Sequence, residues 1–138
     1  MSKTYSNLFL ALTQFTGKAL KRMDANLSVH GISYNEYRVL HSLSCAPGLT
    51  MPRIELARCI GLTASGVTRM IAPMEKIGLV HKESHPRDAR MSLVKLSESG
   101  KTIHEEAATT AASVASDFLD ILTKSQRDAL TQLFSNLD

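Results

Sequence analysis

The sequence has few cysteines and only short apolar runs, so it lacks the features of disulfide frameworks, membrane spans and secretion signals. It has two cysteines and no tryptophan among 138 residues, and two thiols are too few for a disulfide framework. Its apolar runs are only a few residues long, so we expect no segment that crosses a membrane. Residues 1–15 lack the apolar core and the cleavage site of a signal peptide, and we therefore expect a cytoplasmic protein.

Motifs that carry catalysis or bind cofactors and metals are also missing. There is no glycine-rich phosphate loop, no nucleophile elbow and no His-Glu-x-x-His segment. The five histidines are His30, His41, His81, His85 and His104. None of them shows the spacing of metal ligands, so we predict no metal site, no cofactor and no enzyme activity. Cys45 and Cys59 are expected to be small buried apolar residues without a redox role.

Positive charge is concentrated in the middle of the chain. The formal net charge is +3, and residues 49–101 alone contribute +4, from nine basic and five acidic side chains. Residues 1–48 contribute +3, whereas residues 102–138 contribute −4. The middle is therefore the natural partner of a polyanion, and the C-terminal region is not.

Residues 53–72 have the pattern of two short helices joined by a tight turn. The first helix has its apolar face at Ile54, Leu56, Ala57 and Ile60. Gly61 follows, where a helix end favours a residue that adopts positive φ, and Thr63 is a suitable N-cap for the second helix. Ala57 supplies the small side chain that a steep crossing requires. This spacing resembles the helix-turn-helix pattern of DNA-binding proteins, with a purely structural helical hairpin as the alternative.

The second helix of this pair, predicted over about 64–78, has a polar face suited to a DNA groove. Its buried stripe is predicted at Val67, Met70, Ile71, Met74 and Ile77. The opposite face carries Ser65, Arg69, Ala72 and Lys76, with Thr68 on the flank. Small and hydroxyl side chains beside an arginine suit close approach to base edges, whereas the alternative is an ordinary solvated face. Pro73 is expected to bend the helix, and Gly78 to end it.

An alternating pattern over residues 79–96 predicts two β-strands joined by a loop from His85 to Arg90. A β-hairpin directly after such a helix is a wing. Arg87 and Arg90 project from its loop, where an arginine can enter a minor groove or bind a phosphate. Asp88 is close enough in sequence to hold the Arg90 guanidinium in one orientation. The alternative is an ordinary charged hairpin loop without a DNA contact.

Helices flank this central region on both sides. On the N-terminal side, an apolar repeat predicts a long helix over about 5–30, and Gly31 ends it. Ser33 and Glu36 form a capping box that starts the next helix, over about 34–45.

On the C-terminal side, Ser97 is predicted to cap an alanine-rich helix that runs to about Leu122. Thr123 and Gln126 form a capping box for the last helix. The two terminal helices carry more apolar surface than one chain covers, at Leu8, Leu12, Phe15, Leu130, Leu133 and Phe134. We therefore expect both termini to form the interface of a homodimer.

The whole pattern resembles the MarR family of winged helix-turn-helix regulators. The resemblance rests on the segments LARCIGLTASGVTRMI, MEKIGLV and HPRDARMSLVKLSESG, and on the order of the helices around them. It implies a single domain over 1–138 that is mainly α with a small β-hairpin wing. The winged helix-turn-helix would span about 34–97, and the dimerisation helices about 5–30 and 98–138. The implied function is a cytoplasmic, homodimeric, ligand-responsive repressor that binds a pseudo-palindromic operator in double-stranded DNA and responds to a small aromatic ligand.

The resemblance also implies which side chains contact DNA. By this resemblance, Ser65, Thr68 and Arg69 of the second helix face the major groove. Arg87 and Arg90 of the wing contact the DNA beside it. The predicted DNA-binding residues are Ser65, Thr68, Arg69, Lys76, Arg87, Asp88 and Arg90. The alternative function is a winged-helix domain that binds proteins and has no sequence-specific contact with DNA, although the basic wing argues against it.

Overall fold

The computed structural model describes residues 2–137, which form six α-helices and a three-stranded antiparallel sheet. The helices are α1 (Ser2–Leu27), α2 (Tyr34–Cys45), α3 (Arg53–Ile60), α4 (Ala64–Lys76), α5 (Glu98–Leu119) and α6 (Lys124–Leu137). The strands are β1 (Thr50–Pro52), β2 (Val80–Ser84) and β3 (Ser92–Leu96). This is the predicted fold class, mainly α with a β-hairpin wing. The two ends of the predicted domain, residues 1 and 138, lie outside the described residues.

The corner between α1 and α2 is built as its sequence predicts. The chain leaves α1 through a single 3₁₀ turn, Ser28–His30, and Gly31 then adopts a left-handed conformation with φ of 75°. Ser33 and Glu36 form both halves of a capping box, because the Ser33 hydroxyl accepts the Glu36 N–H and the Glu36 carboxylate accepts the Ser33 N–H. These contacts confirm the predicted start of α2.

The core lies where α2, α3, α4 and α5 pack against the sheet. Its fully buried large side chains are Leu27, Val39, Leu40, Leu43, Leu56, Val67, Ile71, Met74, Val80 and Val94. The prediction was wrong for Ile54 and Ile77, which are 69% and 64% exposed. Ile54 lies in the first turn of α3, on the side away from Leu56, and Ile77 follows the last residue of α4, where the chain already turns toward β2.

A third strand ties the start of the helix pair to the wing. β1 pairs antiparallel with β3, with Met51 opposite Val94, and the strand order is β1-β3-β2. The sequence predicts a short extended piece here, but not its partner, because pairing depends on residues more than forty positions away in the chain. As a result, α3 starts directly from a strand hydrogen-bonded to the base of the wing.

Both cysteines are exposed, which contradicts the prediction that they are buried. The core face of α3 is occupied by Leu56, Ala57 and Ile60, so Cys59 points away from it. Cys45 is the last residue of α2, and its Sγ lies 3.9 Å from Nε2 of His41.

The terminal helices leave much apolar surface uncovered. The exposed large apolar residues of α1 and α6 are Tyr5, Leu8, Phe9, Leu10, Leu12, Phe15, Leu20, Leu133, Phe134 and Leu137. The predicted capping box of α6 is present, with hydrogen bonds of 2.9 and 3.2 Å between Thr123 and Gln126. Over residues 2–137, no helix is both long and apolar enough to cross a membrane.

The first turn of α5 is pressed against the link between α4 and β2. The Ser97 hydroxyl caps α5 by accepting the Gly100 N–H at 2.9 Å, and it donates to the Gly78 carbonyl. The Ser97 N–H donates to the Leu79 carbonyl at 3.1 Å. A Cβ atom at Gly100 would overlap the Leu79 carbonyl oxygen and lie 2.8 Å from Cδ1 of Leu96. We call this contact of Ser97 and Gly100 with the Gly78–Leu79 link the α5 joint.

Gly100→Ala is therefore expected to destabilise the protein strongly. The added Cβ overlaps a backbone oxygen that cannot rotate away, so we expect the free energy of unfolding to fall by about 3 kcal/mol. Gly17→Ala is the matched control, because nothing lies within 4 Å of the added methyl group on the exposed face of α1. That change should raise stability by about 0.5–1 kcal/mol. Equal urea midpoints for the two variants would contradict the α5 joint.

A cluster of aromatic rings joins α2 to α5. Nδ1 of His41 lies 3.2 Å from Nε2 of His104, and the Tyr37 ring stacks on His104 with centroids 5.4 Å apart. Burial lowers the pKa of His104 below the ordinary value of 6.5, His41 lowers it further, and Glu105 opposes the shift. The contact between α2 and α5 therefore favours a neutral His104.

The lowered pKa of His104 predicts a loss of stability in acid. The unfolded chain binds this proton more readily than the folded chain, so the contribution is complete above the unfolded pKa of 6.5 and is lost as the pH falls through the lower folded pKa. His104→Gln should flatten the dependence of melting temperature on pH between 7 and 5, whereas His81→Gln, on the exposed face of β2, should not. Identical profiles for wild type and His104→Gln would show that the histidine pair has no such role.

Candidate nucleic-acid interface

The turn between α3 and α4 fixes the angle between the two helices. Gly61 adopts a left-handed conformation with φ of 69°, and the Leu62 N–H donates to the Ala57 carbonyl at 3.0 Å. Thr63 caps α4, because its hydroxyl accepts the Gly66 N–H at 3.0 Å. Ala57 is buried at the contact, as the steep crossing requires. These are the features that the sequence predicts for a helix-turn-helix.

The buried side of α4 determines which of its residues face outward. Val67, Ile71 and Met74 are fully buried, and Met70 is partly buried beside them. The residues exposed on the other side are Ser65, Thr68, Arg69, Ala72, Pro73 and Lys76. All predicted contact residues of this helix therefore lie on one solvent-exposed face. Pro73 lies inside α4, which continues to Lys76, and the bend we expect there stays a prediction.

Thr68 is held in place from two sides. Its hydroxyl donates to the Ala64 carbonyl at 3.0 Å and accepts a hydrogen bond from Nη1 of Arg53 at 3.2 Å. The hydroxyl hydrogen of Thr68 is therefore already used within the chain. Arg53 is not among the site residues that the sequence predicts. The only signal for it was a basic residue at the start of the helix that crosses α4.

The wing loop is ordered by hydrogen bonds to its own backbone. Nδ1 of His85 accepts the N–H groups of Arg87 and Asp88, at 3.0 and 3.2 Å. Asp88 Oδ1 accepts the Arg90 N–H at 3.0 Å. Our prediction that Asp88 holds the Arg90 guanidinium is wrong, because the described part of the chain has no ion pair within 4.0 Å between these two side chains. A short aspartate side chain reaches the backbone two residues on more easily than a long arginine head.

Two lysines of this region have an acidic partner, whereas Lys76 and the arginines have none among the described residues. Lys82 lies 3.9 Å from Glu75, and Lys95 lies 3.8 Å from Glu83. The arginines without an ion pair to any other described residue are Arg53, Arg58, Arg69, Arg87 and Arg90. Their charge is not neutralised within the chain, so it adds to a positive surface potential.

A groove joins the helix pair to the wing. It encloses about 400 Å³ between the start of α3 and the end of the wing loop. Arg53 and Arg58 line it from α3, and Arg90 and Met91 line it from the wing. Because Arg53 also contacts Thr68, the polar face of α4, the groove and the wing form one continuous basic surface.

Comparison with known proteins gives the family of this chain. Residues 32–92, from the start of α2 through the wing loop, match the MarR family. The transcriptional regulator HosA of Escherichia coli O111:H- is 30% identical over 98 residues, which are 71% of this chain and 71% of HosA. Both matches include the helix pair and the wing loop.

Solved structures share the fold over nearly the whole chain. Sco3205 from Streptomyces coelicolor, a MarR family transcriptional regulator solved in complex with DNA, superposes with a TM-score of 0.89 at 21% identity, covering 99% of this chain and 87% of Sco3205. The organohalide-sensing regulator RdhR-CbdbA1625, solved with bound 2,4-dichlorophenol, gives a TM-score of 0.86 at 23% identity, covering 97% of this chain and 79% of the regulator. These relatives are named as regulators and not as enzymes. The chain belongs to the MarR family of transcriptional regulators.

Proposed function

We propose that this protein is a homodimeric repressor that binds a pseudo-palindromic operator in double-stranded DNA and is released by a small aromatic ligand. The observation that carries the proposal is the continuous basic surface formed by α4, the α3 groove and the wing, whose arginines have no acidic partner within residues 2–137. A regulator of this kind acts in the cytoplasm. When it is bound to an operator near a promoter, it would exclude the transcription machinery from that promoter.

The polar face of α4 is the element we assign to the major groove. Ser65 lies in its first turn and Thr68 and Arg69 in its second, where a recognition helix contacts base edges. Arg69 is exposed and carries the fork of donors that pairs with guanine. Lys76, in the last turn, is placed for a phosphate beyond the bases.

The wing is the element we assign to the neighbouring backbone or minor groove. Arg87 and Arg90 lie on an exposed loop with ordered backbone, and such arginines suit phosphate or minor-groove contacts. Asp88 serves this surface through its hydrogen bond to the Arg90 N–H, which keeps the loop folded.

The dimer is supported by the apolar faces of the terminal helices. In this division, the winged helix-turn-helix covers about 34–97, and the regions 5–30 and 98–138 hold the two copies together. Leu8 and Phe9 in α1 and Phe134 in α6 are each more than half exposed, as is typical of a surface that another subunit covers.

A ligand site is supported by a second groove, of about 300 Å³, between α2 and α3. Tyr34 and Tyr37 supply aromatic walls and Arg38 a positive charge, which together suit a small aromatic acid. The relative solved with bound 2,4-dichlorophenol, which is also a small aromatic molecule, supports an aromatic ligand.

Arg69→Ala and Arg90→Ala should weaken DNA binding in different ways. A bidentate contact between Arg69 and guanine is worth about 1–3 kcal/mol, so its loss should reduce operator affinity and relax the preference at one base position in each half-site. Loss of Arg90 should reduce affinity for operator and random DNA alike, and lower the salt slope by about one unit per lost phosphate contact. Both are measured by fluorescence anisotropy over a salt series, with a duplex selected from a random library as operator.

Lys3→Ala is the control for this comparison, because it removes the same charge from an exposed position of α1 that lies outside the regions assigned to the dimer and to DNA. It should leave base preference and salt slope unchanged. The proposal is contradicted if wild type binds selected and random duplexes equally, or if both arginine variants bind as wild type does.

Removal of residues 124–138 should abolish the dimer, because it deletes the apolar face of α6. A second variant, Leu133→Asp combined with Phe134→Asp, keeps the length of α6 but charges two residues that are 50% and 56% exposed. Light scattering should find monomer or aggregate for both variants, with weak operator affinity. An intact, soluble dimer in both cases would rule out α6 as a dimer element.

A further inference from the structure

The guanidinium of Arg53 lies beneath the exposed face of α4 with only part of its hydrogen-bonding capacity used. Nη1 donates to the Thr68 hydroxyl at 3.2 Å. Nη2 is buried and has no acceptor among the described residues. Buried donors in native proteins are almost always paired, so an unpaired arginine nitrogen beside a basic surface calls for a specific explanation.

The groove beside Arg53 has the chemistry of an anion site. Three arginines line it, Arg53, Arg58 and Arg90, against one carboxylate, that of Glu55. The outer wall consists of Ile54 and Met91, which are themselves exposed. Because these two exposed side chains can be displaced, the groove can open next to the guanidinium while Nη1 stays on Thr68.

The position of the groove selects which anion it receives. In a helix-turn-helix the first helix crosses the DNA backbone while the second enters the major groove. Here α3 is the first helix, and Arg53 is its first residue. A backbone phosphate is then the anion at the mouth of the groove when α4 contacts bases.

We propose that Arg53 binds a DNA phosphate through Nη2 while Nη1 holds Thr68, so that one side chain links backbone contact to base reading. This inference rests on the proposed DNA-binding function. The Thr68 hydroxyl is held by the Ala64 carbonyl on one side and by Arg53 on the other, which fixes the orientation of this side chain on the exposed face of α4. Arg53 is a positioning residue for Thr68 and a contact residue for the phosphate.

Only an arginine can bind the phosphate and hold Thr68 at the same time, and this makes the proposal testable. The guanidinium is a planar fork with several donors, whereas a lysine ammonium is a single point of charge. Arg53→Lys should keep the phosphate contact but release Thr68. Arg53→Ala should lose both. Thr68→Val removes the acceptor of Nη1 while keeping the side-chain shape, so it should lose the positioning alone.

The experiment measures base preference and salt slope separately for these three variants. The probes are a duplex selected by wild type from a random library, its single-base variants, and a scrambled duplex of equal length. Arg53→Ala should lower the salt slope by about one unit and relax preference at the position that Thr68 reads. Arg53→Lys and Thr68→Val should keep the slope but relax the same position. Adding Thr68→Val to Arg53→Ala should relax the preference no further.

Lys3→Ala serves again as the matched loss of one charge, and melting temperatures establish that each variant is folded. An unchanged salt slope and unchanged preference in folded Arg53→Ala would overturn the inference while leaving the proposed function intact. So would a change in preference for Arg53→Ala that Arg53→Lys fully restores, because the fork would then be unnecessary. Failure of wild type to select any duplex would instead overturn the proposed function itself.

Discussion

The close approach of α5 to the link between α4 and β2 is the contact on which the arrangement of this protein depends. At the α5 joint, one hydroxyl, that of Ser97, caps α5 and bonds the Gly78 carbonyl, and the missing side chain of Gly100 lets the helix come this near. The joint connects three elements with different tasks: the helix assigned to DNA, the first strand of the wing, and the long helix that leads to α6. A larger residue at position 100 would separate them.

The basic surface is held in place by the buried side of α4 and by the sheet. Burial of Val67, Ile71 and Met74 sets the rotation of α4, and pairing of β1 with β3 sets the base of the wing against α3. The arginines then project from elements whose relative positions are fixed. The stacked rings of Tyr37 and His104 join α2 to α5, and the α5 joint connects α5 to α4 and β2. A ligand or a proton that separates the two rings would therefore also act on the elements that carry the basic surface.

Local chemistry was predictable from the sequence, and long-range contacts were not. The caps at Ser33, Thr63 and Ser97 were found because each signal lies within three or four residues of its partner. The predictions fail where residues that are in contact lie far apart in the sequence. They also fail where a short segment is compatible with two arrangements. The sequence predicts Cys59 in the core although it is exposed, because a helix of eight residues shows barely two turns of periodicity. It also predicts a contact between Asp88 and the Arg90 side chain, whereas Asp88 accepts the Arg90 N–H. The Arg53–Thr68 contact crosses between helices, and no spacing rule reveals it.

Selection of duplexes from a random library by the full-length protein tests the central claim most directly. Two recognition helices related by a two-fold axis should enrich an inverted repeat, with half-site centres one turn apart, about 34–36 Å. The α5 joint fixes α4 relative to the rest of its subunit, so the two recognition helices cannot move apart to reach more widely separated half-sites. Enriched sequences should therefore lose affinity when a few base pairs are inserted between the half-sites. Enrichment of a single half-site, tolerance of any spacing, or no enrichment at all would contradict a rigid, two-fold DNA-reading dimer.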